Sequence, residues 1–134
     1  MYSVIDGDRS IAASRSIFEK LYSDYNKRVY VSPDPLQFLY DYVDCRDREV
    51  AGLIASSLAY GRVAQIIKSV SRVLRCLGPT PSEYLKSVRM EELESKLSGF
   101  VHRFTDSSDM VGFLGCIGDV LNTYGSVENL YLSH

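Results

Sequence analysis

The stretch DREVAGLIASSLAYGR, Asp47 to Arg62, decides the fold. Between Glu49 and Arg62 no residue is charged, and Val50, Ala51, Leu53, Ile54, Ala55, Leu58 and Ala59 fall on every side of a helical wheel, with Gly52, Ser56 and Ser57 between them. A helix without a polar face is surrounded by other elements. The stretch predicts a central helix over about Arg46 to Tyr60, ended by Gly61, that delivers a Tyr-Gly-Arg turn.

Downstream, Val63, Ile66, Ile67, Val70, Val73, Leu74 and Leu77 form one arc of a second helix, about Arg62 to Leu77, closed by Gly78. Lys68, Arg72 and Arg75 lie opposite, within about 60° of each other at 100° per residue. Thr80-Pro81-Ser82-Glu83 reads as a capping box opening a short helix, with Thr80 as its cap. Glu91 to Lys96 is a charged, weakly helical connector, and Gly99 to Phe104 is the least periodic piece. Asp106, Ser107 and Ser108 offer N-caps for a last long helix in which Met110, Phe113, Leu114, Ile117, Leu121 and Tyr124 repeat at helical spacing. Gly112, Gly115 and Gly118 occupy its other face, which predicts close backbone packing or a partner there. Gly125 stops that helix and Ser126 caps a final turn.

Upstream, Ser10 can cap a first helix whose Ile11, Phe18, Leu21, Tyr22 and Tyr25 line one side and need a partner. Ser32-Pro33-Asp34-Pro35 breaks the chain, with Asp34 as N-cap and Pro35 as first residue of a short helix through Phe38, Leu39 and Tyr42. That break reads as a corner within one domain. No segment alternates like a strand for more than a few residues, so the expected fold is an all-α bundle of about six helices.

A chain of 134 residues with 46% apolar side chains supports a single core. Fifteen basic residues against seventeen acidic ones point to no global affinity for polyanions or membranes. Yet Arg62, Lys68, Arg72, Arg75, Lys86, Arg89, Lys96 and Arg103 face only Glu83, Glu91, Glu92 and Glu94 between residues 62 and 103, which makes that third electropositive. The three cysteines, Cys45, Cys76 and Cys116, are odd in number and sit in apolar periodic segments. They read as reduced thiols of a cytoplasmic protein, and no leader or membrane span is apparent.

No catalytic constellation is visible. Cysteines and histidines lack metal-ligand spacing, and neither a phosphate loop nor an activated thiol is present, so no metal, cofactor or catalytic residue is assigned. Asp41, Asp44, Asp47 and Glu49 could hold a cation or an acid/base pair, but carboxylates near a helix N-terminus are more simply caps. Lys68, Arg72 and Arg75, with Tyr60, Gly61 and Arg62 in the preceding turn, are the best candidates for a phosphate-backbone surface. An ordinary solvated face explains the same pattern. His102-Arg103, between Phe100 and Phe104, adds a second basic spot.

DREVAGLIASSLAYGR, the following VAQIIKSVSRVLRCLG, HRF at 102–104 and YGSVENLY at 124–131 resemble an uncharacterised prokaryotic family, the domain of unknown function numbered 2400. The likeness covers about residues 15–132 and implies a protein roughly twice this length, of which this chain is the N-terminal half. The other half of that family resembles the late helices of helix-hairpin-helix DNA glycosylases, and residues 47–78 resemble the start of the glycosylase helical barrel. This likeness implies double-stranded DNA as a partner, with Tyr60 stacking on a base and Arg62 holding a phosphate. It also places the Gly-rich hairpin and the catalytic Asp or Lys outside this chain, which by itself should not cleave a glycosidic bond. From a different class comes the reading of a helical protein–protein interaction module whose partner, a helix or a C-terminal half, covers the Gly112, Gly115, Gly118 face. A small-molecule enzyme ranks third.

Overall fold

The computed structural model describes residues 5–134, with side chains for residue 11 and residues 13–134. It is predominantly helical, with one two-stranded hairpin among the described residues. The chain divides into two compact units, Met1–Ser32 and Pro33–His134. The division falls at the Ser32-Pro33 break.

The first unit holds α1, Ile5–Tyr25, and a 3-10 turn at Arg28–Tyr30. Helix α1 already runs before Ser10, so Ser10 is not its start, and a cap from its side chain lies outside the described side chains. Tyr25 and Tyr30 meet with ring centroids 5.8 Å apart. The stripe of Ile11, Phe18, Leu21, Tyr22 and Tyr25 is exposed.

Among the described residues the buried apolar core lies in the second unit, from Val50 to Leu121. It opens with a 3-10 helix, Pro35–Asp41, capped by Asp34, whose carboxylate accepts the Leu36 amide at 2.8 Å. Helix α2, Cys45–Ser57, buries Val50, Ala51, Ile54 and Ala55. It ends at Leu58, before the expected Gly61, and Ser56, Ser57 and Ala59 are exposed, so the helix is enclosed on most sides rather than all. Helix α3, Val63–Leu77, buries Ile66, Val70, Val73, Leu74 and Leu77 along the expected arc. After Gly78 come α4, Pro81–Ser87, and α5, Met90–Lys96; the latter is a regular helix where a charged, weakly helical connector was expected. Strands β1, Val101–His102, and β2, Thr105–Asp106, pair antiparallel, Val101 with Asp106 and His102 with Thr105. Two residues each is too short for an alternating pattern to register. Helix α6, Ser107–Tyr124, starts from a reciprocal capping box between Asp106 and Asp109 and ends at left-handed Gly125. Ser126 caps α7, Val127–Leu132.

Three of the four clustered carboxylates serve helix N-termini, and each serves a different helix. Asp44 caps its own α2 through the Arg46 amide, at 2.8 Å. Asp47 is buried and accepts the Ser82 amide of α4 at 2.8 Å. Glu49 accepts the Val127 amide of α7 at 2.8 Å. Thr80 makes no side-chain cap, so the box expected with Glu83 does not form. Glu83 instead meets Lys86 at 3.0 Å and Arg46 at 3.6 Å.

The glycine face of α6 is covered in part by this chain. A Cβ on Gly118 would stand 2.6 Å from the Leu85 carbonyl oxygen, and one on Gly115 would stand 3.1 Å from the Met90 thioether. Close backbone packing against α4 is thus the reason for Gly118, whereas Gly112 faces open space.

Candidate nucleic-acid interface

Helix α3 begins in an unusual electrostatic setting. A helix N-terminus carries roughly half a positive charge on unpaired amides, normally offset by an acidic side chain in the cap or first turn. Each of α2, α4, α5, α6 and α7 has such an acid in its first turn. Helix α3 has none, and its N-cap residue is Arg62, which forms no side-chain cap.

Gly61 makes this end accessible to a second cation. At φ +107 it adopts a conformation suited to glycine, and a Cβ there would lie 3.1 Å from Cδ and 3.2 Å from Nη1 of Arg103. The Arg103 side chain therefore lies across Gly61, the residue that precedes Arg62 in the chain. Both arginines are exposed, and neither forms an ion pair among the described residues.

Arg103 occupies the first position of the two-residue turn between β1 and β2, at φ +54. Its partner Phe104 is 87% exposed, with the Arg103 guanidinium 5.6 Å from its ring centroid. Behind this turn the hairpin is locked down through His102, which is 1% exposed. Its Nε2 lies 3.2 Å from the Tyr60 carbonyl oxygen and its Nδ1 lies 2.9 Å from the Ser69 hydroxyl. A carbonyl only accepts, so Nε2 carries the proton; in the neutral ring Nδ1 then accepts from Ser69. Tyr60 returns the contact: its hydroxyl donates to the His102 carbonyl at 3.0 Å and bonds Thr105 Oγ1 at 2.6 Å, and the two rings meet edge to face at 4.7 Å.

The six residues expected at a phosphate surface divide by this geometry. Tyr60 is half-buried in the hairpin latch, its hydroxyl occupied, and so serves as a support rather than a free stacking ring. Gly61 and Arg62 sit at the α3 N-terminus with Arg103. Lys68 is exposed on α3. Arg72 is turned inward: Nη1 and Nη2 donate to the Gly99 and Ser98 carbonyls at 3.1 and 2.7 Å, and the guanidinium lies 5.6 Å from the Phe100 centroid. Arg75 is exposed in the last turn of α3, about 20 Å from Arg62 along the helix at 1.5 Å per residue, where it lines a cavity of about 310 Å³ with Asp41 and Tyr42. Sequence spacing placed Lys68, Arg72 and Arg75 on one face, but it could not show that Arg72 reaches across to residues 98 and 99.

Elsewhere polar clusters are structural. Lys96 lies 2.8 Å from the Tyr84 hydroxyl, which donates to Glu92 at 2.7 Å. Those two partners, Tyr84 first, hold the Glu92 carboxyl below the usual range, while burial is the main cause that raises Tyr84. Arg46 likewise holds Asp44 low. Among the described residues no group of His, Cys, Asp and Glu could hold a metal ion, and no helix is long and apolar enough to cross a membrane.

A family model described as "Protein of unknown function (DUF2400)" matches residues 34–134, which is nearly the whole of the second unit. No curated protein and no solved structure matches the chain.

Proposed function

The chain belongs to the DUF2400 family, and from that premise we propose that it is a non-catalytic, backbone-contacting DNA-binding module, the N-terminal half of a longer glycosylase-like protein. One observation supports the reading: the first turn of α3 holds no acidic residue, its N-cap is Arg62, and the Arg103 side chain lies across the preceding Gly61, with neither arginine in an ion pair among the described residues. Backbone amides at a helix start and adjacent arginines are the donors that phosphate oxygens take. Lys68 and Arg75 extend positive charge along α3, over a length that spans several phosphates. The glycosylase likeness rests on the apolar helix, short turn and amphipathic helix of residues 47–78, and the half-length reading rests on the family resemblance.

Fluorescence anisotropy of the whole chain on a plain duplex over a range of salt tests the reading. Neutralising three or four phosphates gives a slope of log affinity against log salt of about −3 to −4. A folded chain that binds no duplex at low salt overturns it.

A second reading, a protein-binding module, is favoured by an apolar depression of about 580 Å³ in the second unit, lined by Leu39, Gly52, Val127 and Tyr131 among others. Analytical ultracentrifugation over a range of concentrations tests it; a monomer throughout, with no change on mutation of Tyr131, counts against it.

A further inference from the structure

We infer that the Arg103–Phe104 turn is a base-stacking tip, which takes one unpaired nucleobase on the Phe104 ring while Arg103 and Arg62 hold the flanking phosphates. This deepens the DNA-binding reading and rests on it. A phenylalanine at 87% exposure leaves nearly its whole ring in water. A short rigid hairpin presents it, pinned from behind by His102, Tyr60 and Thr105. One side of the ring is approached by the Arg103 guanidinium at 5.6 Å, which leaves the other side for a flat partner.

The backbone supports the same assignment. Only the first of the two turn residues has positive φ, the pattern of a type II′ turn, where glycine is ordinarily found. Glycine at 103 would relieve the strain and would present no guanidinium to Gly61 or Phe104. Arginine in that conformation keeps a cation between the aromatic ring and the α3 N-terminus.

The charge around the ring selects the occupant. Its cationic neighbour is Arg103, whose side chain also lies against Gly61 just before the α3 N-terminus, while the acids that follow closely in sequence, Asp106 and Asp109, are bound into the α6 capping box. An aromatic face beside a cation matches a nucleotide, with a stacking base and a charged phosphate on one ligand. The intact stack of a duplex offers no free base face, so the ligand is a duplex with a bulged or unstacked nucleotide.

The test compares wild type, Phe104→Ala and Phe104→Trp on two probes: a short duplex with a single bulged 2-aminopurine, and the same duplex fully paired. Wild type should bind the bulged probe more tightly and shift its 2-aminopurine fluorescence. Phe104→Ala should lose about 5- to 150-fold on the bulged probe, the range that ~1–3 kcal/mol of base–aromatic stacking corresponds to, with binding to the paired probe unchanged. Phe104→Trp should keep the preference. If Phe104→Ala matches wild type on the bulged probe, or wild type shows no preference between the probes, the stacking assignment falls while paired-duplex binding stands on its own. If wild type binds neither probe, both readings fall. A wild-type dimer that Phe104→Ala converts to monomer, with DNA binding unaltered, assigns the ring to a protein contact and also overturns it.

Discussion

The buried carboxylate of Asp47, in the first turn of α2, accepts the backbone amide of Ser82 in α4 at 2.8 Å across thirty-five residues of chain. This bond does for α4 what Thr80 does not. Asp47→Ala leaves a buried amide without an acceptor and should cost about 1–3 kcal/mol. Asp47→Asn keeps a carbonyl oxygen and should retain most of that. Urea unfolding of the two variants checks the order.

Arg62→Ala combined with Lys68→Ala removes exposed cations that hold nothing together within the described residues. Duplex binding should weaken and the salt slope should flatten by up to about two charges, with the melting temperature unchanged. Arg72→Ala should behave in the opposite way. It abandons two carbonyl contacts and a ring contact, so it should lower stability by about 1–3 kcal/mol. A salt slope that Arg62→Ala with Lys68→Ala leaves untouched would remove α3 from the interface.

Two glycines on α6 should respond with opposite sign. Gly112→Ala meets nothing within 4 Å and should stabilise by up to ~1 kcal/mol through helix propensity. Gly118→Ala drives a Cβ to 2.6 Å from the Leu85 carbonyl oxygen and should destabilise by about 1–3 kcal/mol as α4 is pushed away. Thermal melts of the pair separate backbone contact from intrinsic propensity.

Acid should loosen the α4–α5 surface. Glu92, held low by Tyr84 and Lys96, and Asp44, held low by Arg46, have folded-state values below those of the unfolded chain. Their stabilisation is present above the ordinary carboxylate range of about 4 and is lost as pH falls through the lower folded values. Glu92→Gln should therefore flatten the fall in melting temperature between about pH 5 and 3. Both groups are exposed, so added salt should shrink the effect.

Local signals carried much of this fold. Asp34-Pro35, Asp106 and Gly125 act within a few residues of themselves, and each takes the expected place. The arc of α3 is read from a period of 3.6 for the same reason. What sequence could not show are contacts whose partners lie far along the chain: Asp47 with Ser82, Glu49 with Val127, and Arg72 with Ser98 and Gly99. Phe104 is a further case. In sequence it resembles Phe100, yet one ring is sealed in the core at 1% exposure and the other stands in water. The difference follows from a hairpin whose strands are too short to announce themselves. The basic residues and the Gly61-Arg62 turn were therefore legible in the sequence, whereas the approach of Arg103 to Gly61 was not.

The His102 ring bonds the Tyr60 turn with one nitrogen and the middle of α3, at Ser69, with the other. The hairpin, the turn and the helix consequently behave as one mechanical part. A displacement of the tip should therefore reach Ser69 in the second turn of α3 through these two bonds. Engagement of the exposed rim should thus register deep inside the protein, as a change in the imidazole resonances of a side chain that no ligand touches.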